Sequence, residues 1–257
     1  MYKRPRIIPC LTMQDQDLVK TINFAKPRYV GDPINTVKIF NNKDVDEISI
    51  IDISATAENR EPNYDYLHEI ASEAFMPLGY GGGIKSLEQA RKIFKLGYEK
   101  VILNSLFIES PETVREIVQF AGSQSVVASI DYRLSFFKKE ECMIYNARKR
   151  IPYSLEEYIG YVTELGAGEI LLNSIDQDGT MNGYQTKVIE KVARRTSVPL
   201  IACGGAGSLD DVRSVLDAGA DAAAAGSFFI YYGKNKAVLI HTPSEEDYLN
   251  AGIFEWD

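Results

Sequence analysis

Tyr80-Gly-Gly-Gly-Ile-Lys-Ser-Leu-Glu88 returns, altered, as Ala202-Cys-Gly-Gly-Ala-Gly-Ser-Leu-Asp210. The two segments are 122 residues apart, and the same offset relates residues 104–108 to residues 226–230. A chain of 257 residues that repeats at this interval is built from two similar halves. Each copy places glycines where an apolar run ends, and there backbone N–H groups can approach a phosphate. The repeat therefore predicts two phosphate sites related by a pseudo-twofold axis.

Short apolar runs rich in Ile, Val and Ala alternate along the whole chain with segments of helical periodicity. The predicted strands are Arg6–Thr12, Glu47–Ser54, Met76–Gly81, Lys100–Ser105, Ser125–Asp131, Glu169–Asp176, Pro199–Gly204 and Ala222–Phe228. Strict alternation predicts an α/β fold with a parallel sheet and right-handed crossovers. Eight such units predict a closed (β/α)8 TIM barrel made of two half-barrels. An open, doubly wound sheet is the competing architecture, and the halfway repeat favours the barrel.

The composition bounds what the chain can do. We expect a single domain over residues 1–257, with a hairpin insertion near 133–151 and a long first loop that includes residues 28–32. The net charge of −8 argues against nucleic acid as a partner. Three scattered cysteines and two histidines predict reduced thiols in the cytoplasm and no metal ion or other cofactor. No signal-peptide core or membrane-length apolar run is present, so no membrane partner is expected.

Glycines and polar residues gather at the predicted carboxyl ends of the strands, the face that carries the active site in TIM barrels. The predicted phosphate-binding residues are Gly82, Gly83, Asn104 and Ser105 in the first half, and Asp178, Gly179, Thr180, Gly204, Gly205, Gly226 and Ser227 in the second half. Tight barrel corners and Asx-type turns are the competing interpretation. Two phosphate sites on one rim predict an elongated, bisphosphorylated ligand.

One acidic residue stands at the end of an otherwise apolar strand. Asp131 closes the fifth predicted strand, where partial desolvation should raise its pKa and suit it to general acid–base catalysis. A capping or salt-bridging role is the alternative. Aligning residues 8–12 with residues 127–131 places Thr12 at the equivalent position. Threonine cannot exchange a proton near neutral pH, so the sequence supplies one acid where matched halves would supply two.

Charged residues also begin four of the predicted strands. They are Arg6, Glu47, Lys100 and Glu169, at the start of strands one, two, four and six. The amino ends of barrel strands lie opposite the active face, where sequence features usually serve stability. On residue types alone, these four predict a salt-bridged plug at the N-terminal mouth.

Several motifs together resemble those of the cyclase subunit of imidazole glycerol phosphate synthase. They are Arg6-Ile-Ile-x-Cys10-Leu, Gly31-Asp-Pro33, Gly81-Gly-Gly-Ile84, Ser174-Ile-Asp-x-Asp-Gly-Thr180 and Cys203-Gly-Gly-Ala-Gly207. The similarity runs in collinear order over nearly the whole chain. It implies a lyase-type barrel subunit of a glutamine amidotransferase complex, which receives ammonia from a glutaminase subunit docked at the N-terminal mouth.

The resemblance also implies roles for individual residues. Arg6, Glu47, Lys100 and Glu169 match the family's ammonia gate, Lys20 and Asp131 match catalytic positions, and the glycine clusters match its phosphate sites. Thr12 departs from the pattern, because it falls on the family's second catalytic aspartate. Losing one of two cooperating acids is expected to lower the rate by about 10²–10⁴-fold.

The departure at Thr12, together with an altered first loop, resembles a divergent branch associated with surface-polysaccharide genes. That resemblance implies a subunit that acts with a glutaminase and a separate amidotransferase to convert a sugar acetamido group to acetamidino, in lipopolysaccharide biosynthesis. The alternatives are a true histidine-pathway subunit in which Asp15 or Asp17 replaces the missing acid, and a scaffold that only activates its glutaminase. An unrelated phosphate-binding barrel, such as an isomerase or aldolase, is a more distant alternative.

Overall fold

Parallel strands close into an eight-stranded barrel in the computed structural model, which describes residues 4–233 and 235–255. In chain order the strands of these ranges are β1 (Arg6–Gln14), β2 (Asp17–Ile22), β3 (Ala25–Gly31), β4 (Ile48–Asp52), β5 (Leu78–Gly81), β6 (Lys100–Leu103), β7 (Val126–Leu134), β8 (Glu140–Ile144), β9 (Lys149–Arg150), β10 (Glu169–Ser174), β11 (Leu200–Cys203), β12 (Ala222–Ala225), β13 (Tyr231–Tyr232) and β14 (Ala237–Val238). The barrel runs β1-β4-β5-β6-β7-β10-β11-β12 and closes where β12 pairs with β1. Closure confirms the predicted TIM barrel and excludes the open sheet.

Helices surround the barrel, and none in the described ranges is both long and apolar enough to cross a membrane. They are α1 (Pro33–Asn41), α2 (Tyr64–Ser72), α3 (Leu87–Lys95), α4 (Leu106–Glu109), α5 (Pro111–Ala121), α6 (Leu155–Glu164), α7 (Thr186–Ala193), α8 (Leu209–Asp217), α9 (Ser227–Ile230) and α10 (Glu245–Asn250). Ser86 and Ser208 cap α3 and α8, each accepting a backbone N–H at the third helical residue. Gly97 and Gly219 follow the same helices with φ of +101° and +102°. The two halves therefore repeat their helix signals as well as their glycines.

The barrel interior forms its own apolar cluster, separate from the core between sheet and helices. Its buried members are Ile8, Cys10, Ile102, Val127, Leu171, Ile201, Cys203, Ala222 and Ala224. Side chains alternate along each strand, so in β10 Leu171 faces the lumen while Ile170 and Leu172 join the outer core. Glu169 and Asn173, two residues to either side of Leu171, therefore lie at opposite ends of the lumen.

A β-hairpin follows the first strand of each half. Strands β2 and β3 fold back on β1, with Thr12 opposite Val19, and β8 and β9 fold back on β7, with Asp131 opposite Met143. The first of these occupies the segment that the sequence pattern indicated only as a long loop. Because β1 and β7 begin the two halves, the hairpins occupy equivalent places around the C-terminal mouth.

Candidate active site

One cavity at the C-terminal mouth brings both halves together. It encloses about 1350 Å³ including the space at its opening, enough for a sizeable small molecule. The predicted residues that line it are Thr12, Lys20, Gly82, Gly83, Asn104, Ser105, Asp131, Asp178, Gly179, Gly204, Gly205, Gly226 and Ser227. Thr180 is not among the lining residues, and its hydroxyl donates to the carbonyl of Gln177 at 3.0 Å.

The glycine clusters need glycine for their backbone paths. Gly82 and Gly205 have φ of +128° and +117°. A Cβ atom on Gly82 would lie 2.5 Å from a backbone oxygen of Asp52, and one on Gly205 would lie 2.1 Å from that of Gly183. The N–H of Gly83 already donates to the Thr56 hydroxyl at 3.1 Å. The tight turns of the backbone are enough to require these glycines, so the glycines do not by themselves indicate a bound ligand.

Lys20 and Ser227 indicate an anion site more directly. Lys20, on β2, is 6% exposed, and its Nζ atom lies so close to Gly226 that an added Cβ there would be 2.0 Å away. Among the described residues the Lys20 ammonium has no hydrogen-bonded or ion-paired partner, and the buried Ser227 hydroxyl has none either. Buried polar groups are costly unless they are paired. The second half-site therefore presents a cation and a hydroxyl that an anionic ligand would satisfy.

Asp131 lines the cavity at this mouth and is 8% exposed. Asn104 and Asn173 each donate an amide N–H to one of its carboxylate oxygens, both at 3.2 Å. Burial raises the pKa of Asp131 to about 7, while the Asn173 hydrogen bond lowers it and the charge of Asp178 raises it further. A carboxyl group with a pKa near neutrality is suited to both accept and donate a proton.

Asp52 shows what a structural aspartate looks like at the same mouth. Its Oδ1 atom accepts hydrogen bonds from the backbone and hydroxyl of Ser54 and from the backbone of Ala55, at 2.8–3.0 Å. Arg60 lies 3.3 Å from its other oxygen. Asp52 is thus saturated by its own loop, whereas the carboxylate of Asp131 accepts hydrogen bonds, within the part of the chain that the structure describes, only from the two neutral amides of Asn104 and Asn173.

Thr12 lies in β1, two residues before that strand ends at Gln14. It faces the same cavity as Asp131, but neither Asp15 nor Asp17 lines that cavity. The Asp15 carboxylate is 62% exposed and lies 3.9 Å from the Arg60 guanidinium. Within the described residues, neither neighbour supplies the missing acid.

Asp178 lines the cavity, and its carboxylate contacts the first hairpin. Its Oδ2 atom accepts hydrogen bonds from the Thr21 hydroxyl at 2.5 Å and from the Phe24 backbone at 3.2 Å. Sequence reasoning also missed Asn173, Tyr145 and Asn146, which line the cavity. The available signal for Asn173 was its place two residues after Leu171, on the lumen side of a predicted strand.

The four charged residues form a closed ring at the opposite mouth. Arg6 donates to Glu47 and to Glu169, both at 2.7 Å, and Lys100 lies 2.7 Å and 2.9 Å from the same two carboxylates. The glutamate side chains are only 4% and 11% exposed. Each cation therefore touches both anions, directly beneath the apolar lumen.

Several known proteins are similar to this chain in sequence. Residues 6–236 match the family described as histidine biosynthesis protein. A Leptospira borgpetersenii protein with the provisional name imidazole glycerol phosphate synthase subunit HisF is 48% identical over 246 residues, 95% of this chain and 97% of that protein. A Pseudomonas aeruginosa protein, provisionally named subunit hisF2 of the same synthase, is 47% identical over 93% of this chain and 96% of its own length. Imidazole glycerol phosphate synthase subunit HisF of Streptomyces griseus is 40% identical over 87% of this chain and 89% of its own length. This chain belongs to the histidine biosynthesis protein family, as a HisF-like synthase subunit.

Proposed function

We propose that this chain takes up ammonia at its N-terminal mouth and delivers it, through the barrel, to an acceptor bound at its C-terminal mouth. The observation that carries the proposal is the alignment of three features on one axis: the charged ring, the apolar lumen and Asp131. An apolar passage lets neutral ammonia through and opposes ions, because burying an unpaired charge is costly.

The ammonia would come from a glutaminase subunit docked at the N-terminal mouth. The ring supports this assignment because its four members come from four separate parts of the sequence and meet at that opening. Arg6 is the most exposed member, with 29% of its side chain accessible, and is the one within reach of a docked partner. A small displacement of Lys100 or Arg6 would open the ring without unfolding a strand.

The acceptor would be anionic and elongated. We propose that Lys20 and Ser227 would bind one phosphate in the second half and that Asn104 and Ser105 would bind another in the first. In support, all four residues line the cavity, and the Ser227 hydroxyl has no hydrogen-bond partner among the described residues. With Thr12 in place of a second acid, we propose that the site serves acetamido-to-acetamidino amidation of a cytoplasmic glycan precursor, together with a separate sugar amidotransferase.

A second candidate is the histidine-pathway cyclase itself. It is favoured by the retained cluster of Asp131, Lys20 and Asn104 around one cavity. Thr12 weighs against it, because Asp15 and Asp17 lie outside the cavity.

The decisive experiment compares two nitrogen sources. The purified chain with its glutaminase is given the histidine-pathway substrate and either glutamine or ammonium, and cleavage is followed. Turnover at the rate expected of a two-acid cyclase would rule out the glycan proposal. A chain that raises glutaminase activity but is indifferent to Asp131→Asn would be a scaffold.

The ammonia route has its own test in Lys100→Ala. Opening the ring is expected to leave glutamine hydrolysis intact while glutamine-dependent product formation falls and ammonium-dependent formation persists. Arg115→Ala, which breaks an exposed surface pair with Glu112, is the matched control. Equal glutamine and ammonium rates in the Lys100 variant would contradict the route.

A further inference from the structure

Two asparagines make the same contact in the two halves of the barrel. At the tip of the β2–β3 hairpin, Asn23 Nδ2 donates to the carbonyls of Ile175 at 3.2 Å and Asp176 at 2.7 Å. At the tip of the β8–β9 hairpin, Asn146 Nδ2 donates to the carbonyl of Ile53 at 2.6 Å. Ile53 and Ile175 are separated by the 122-residue offset of the repeat. The contact is therefore duplicated along with the fold.

Each hairpin crosses over one glycine cluster to reach its contact. The β8–β9 hairpin extends from β7 to the loop after β4, and β5 and β6, which end in the first cluster, lie between them in the sheet. The β2–β3 hairpin extends from β1 to the loop after β10, with β11 and β12 and the second cluster between. Both tips line the cavity, through Thr21 and Phe24 on one side and Tyr145 and Asn146 on the other.

The backbone at both tips is held in the same unusual conformation. Asn23 and Phe24 have φ of +52° and +60°, and Asn146 and Ala147 have φ of +53° and +61°. Non-glycine residues adopt this left-handed conformation at a cost, which asparagine bears better than most residues. Such turns persist where contacts hold them, and the asparagine side chains supply those contacts.

We propose that Asn23 and Asn146 are paired latches, each holding one hairpin as a roof over one phosphate position. The proposal deepens the function above, since it rests on two anion sites at the C-terminal mouth. The ligand class is a small molecule carrying a phosphate at each end. Each latch controls how long its own end of the ligand stays bound, and neither asparagine touches the reacting atoms.

The latch over the second half also positions Lys20. That residue is on β2, inside the hairpin that Asn23 holds, and Asp178 reinforces the hold through Thr21 and Phe24. The Asn23 backbone N–H donates to the Asp178 carbonyl at 3.0 Å. Asp178 is thus a positioning residue in this arrangement, acting on the ligand through the hairpin.

The test uses inorganic phosphate as the probe and amide NMR as a site-resolved readout. Backbone signals of Gly82 and Gly205 report separately on the first and second half-sites. Asn23→Gly and Asn146→Gly remove the latching amide while glycine preserves the left-handed turn. Asn41→Ala, which removes a side-chain hydrogen bond to Phe75 far from the cavity, is the control.

Losing one latch is expected to weaken phosphate binding about three- to tenfold at its own half-site, the size of one hydrogen bond. Asn23→Gly should act at Gly205 and Asn146→Gly at Gly82, each leaving the other site within about twofold. Hydrogen exchange of the matching hairpin amides should quicken in the same variant and no longer slow when phosphate is added.

The outcomes separate the two proposals. Unchanged affinity in both variants, or equal weakening at both half-sites in either one, would overturn the latches while leaving the anion sites in place. If phosphate moves neither glycine signal in the wild-type protein, the anion sites themselves fail, and with them this part of the proposed function. If a glycine variant does not fold, hydrogen exchange in the wild-type protein still decides, because a latched roof must gain protection when phosphate binds.

Discussion

The two mouths of the barrel differ in how their charged and polar groups are paired. At the N-terminal mouth, two cations and two carboxylates saturate one another within 3 Å, and the glutamates are almost wholly buried. At the C-terminal mouth, the Lys20 ammonium and the Ser227 hydroxyl have no partner among the described residues. In residues 4–233 and 235–255, the hydrogen-bond donors to the Asp131 carboxylate are two neutral amides.

This difference distinguishes charged groups that hold the fold together from polar groups that are available to bind a ligand. Charges that saturate one another can stay buried as long as every partner is present, and removing one partner leaves buried charge uncompensated, which lowers the free energy of unfolding. Unsaturated groups cost folding free energy and become satisfied only when a ligand arrives. Substitutions at the two mouths should therefore change stability in opposite directions.

Thr12→Asp is expected to produce the largest change in activity. The substitution restores a carboxylate opposite Asp131 in a cavity that still holds Lys20 and Asn104. Ammonium-dependent turnover of the histidine-pathway substrate should rise by about 10²–10⁴-fold, the usual contribution of a positioned acid or base. Thr12→Asn has similar size without the acid and should show no gain. If neither variant raises turnover, the cavity differs from that of a two-acid cyclase at more positions than Thr12.

Lys100→Ala is expected to give the largest loss of stability. It leaves Glu47 and Glu169 buried, with Arg6 as their remaining cation among the described residues. Removing one partner of a buried ion pair costs about 3–5 kcal/mol in the free energy of unfolding. Urea unfolding measures it, and Arg115→Ala should cost less than about 1 kcal/mol because its pair is exposed. Similar losses in the two variants would contradict a saturated, buried ring.

Asp131→Asn is expected to change stability in the opposite direction from Lys100→Ala, by raising the free energy of unfolding above pH 7. The pKa of Asp131 is about 7 in the folded chain, against an ordinary value of 3.8. As pH rises from about 4 to 7, the unfolded chain releases this proton first, so the folded state loses about 4 kcal/mol of stability. The asparagine variant has no such loss. It should exceed the wild type in free energy of unfolding at pH 8 and match it near pH 4.

Denaturant titrations of both proteins at the two pH values provide the measurement, and the difference between them cancels the other titrating groups. A variant less stable than the wild type at pH 8 would show that Asp131 is a structural carboxylate like Asp52.

The barrel could be predicted because its signals are local and repeated. Each strand is a short apolar run, and glycines recur at the same offset after β5 and β11. The β2–β3 hairpin could not be predicted in the same way. Its turn is Asn23-Phe24, which lacks the glycine that usually marks a two-residue hairpin loop. The turn is held instead by contacts with Ile175 and Asp178, about 150 residues away.

The candidate site likewise has features that local sequence predicts and features that depend on contacts between distant residues. The sequence predicted Asp131 at the C-terminal mouth because it closes a predicted apolar run. Sequence alone does not show whether a carboxylate such as Asp131 or Asp52 will be saturated. The distinction depends on the donors around each one. For Asp52 the donors are local, and Ser54 two residues later is a recognisable signal of side-chain capping. For Asp131 they are Asn104 and Asn173, from neighbouring strands, which only closure of the barrel brings together.

Ser54→Ala is the smallest and most discriminating test of that distinction. The Ser54 hydroxyl donates to Asp52 at 2.8 Å and accepts from Arg60 at 2.5 Å. Asp52 keeps its two backbone donors in the variant, so the cost should be about 1 kcal/mol, one hydrogen bond. Ser72→Ala, which removes an exposed hydroxyl bonded to the Glu69 carbonyl, is the control. If Ser54→Ala instead leaves the free energy of unfolding at pH 8 unchanged, the Ser54 hydroxyl does not stabilise the Asp52 carboxylate, and the local saturation of Asp52 is contradicted.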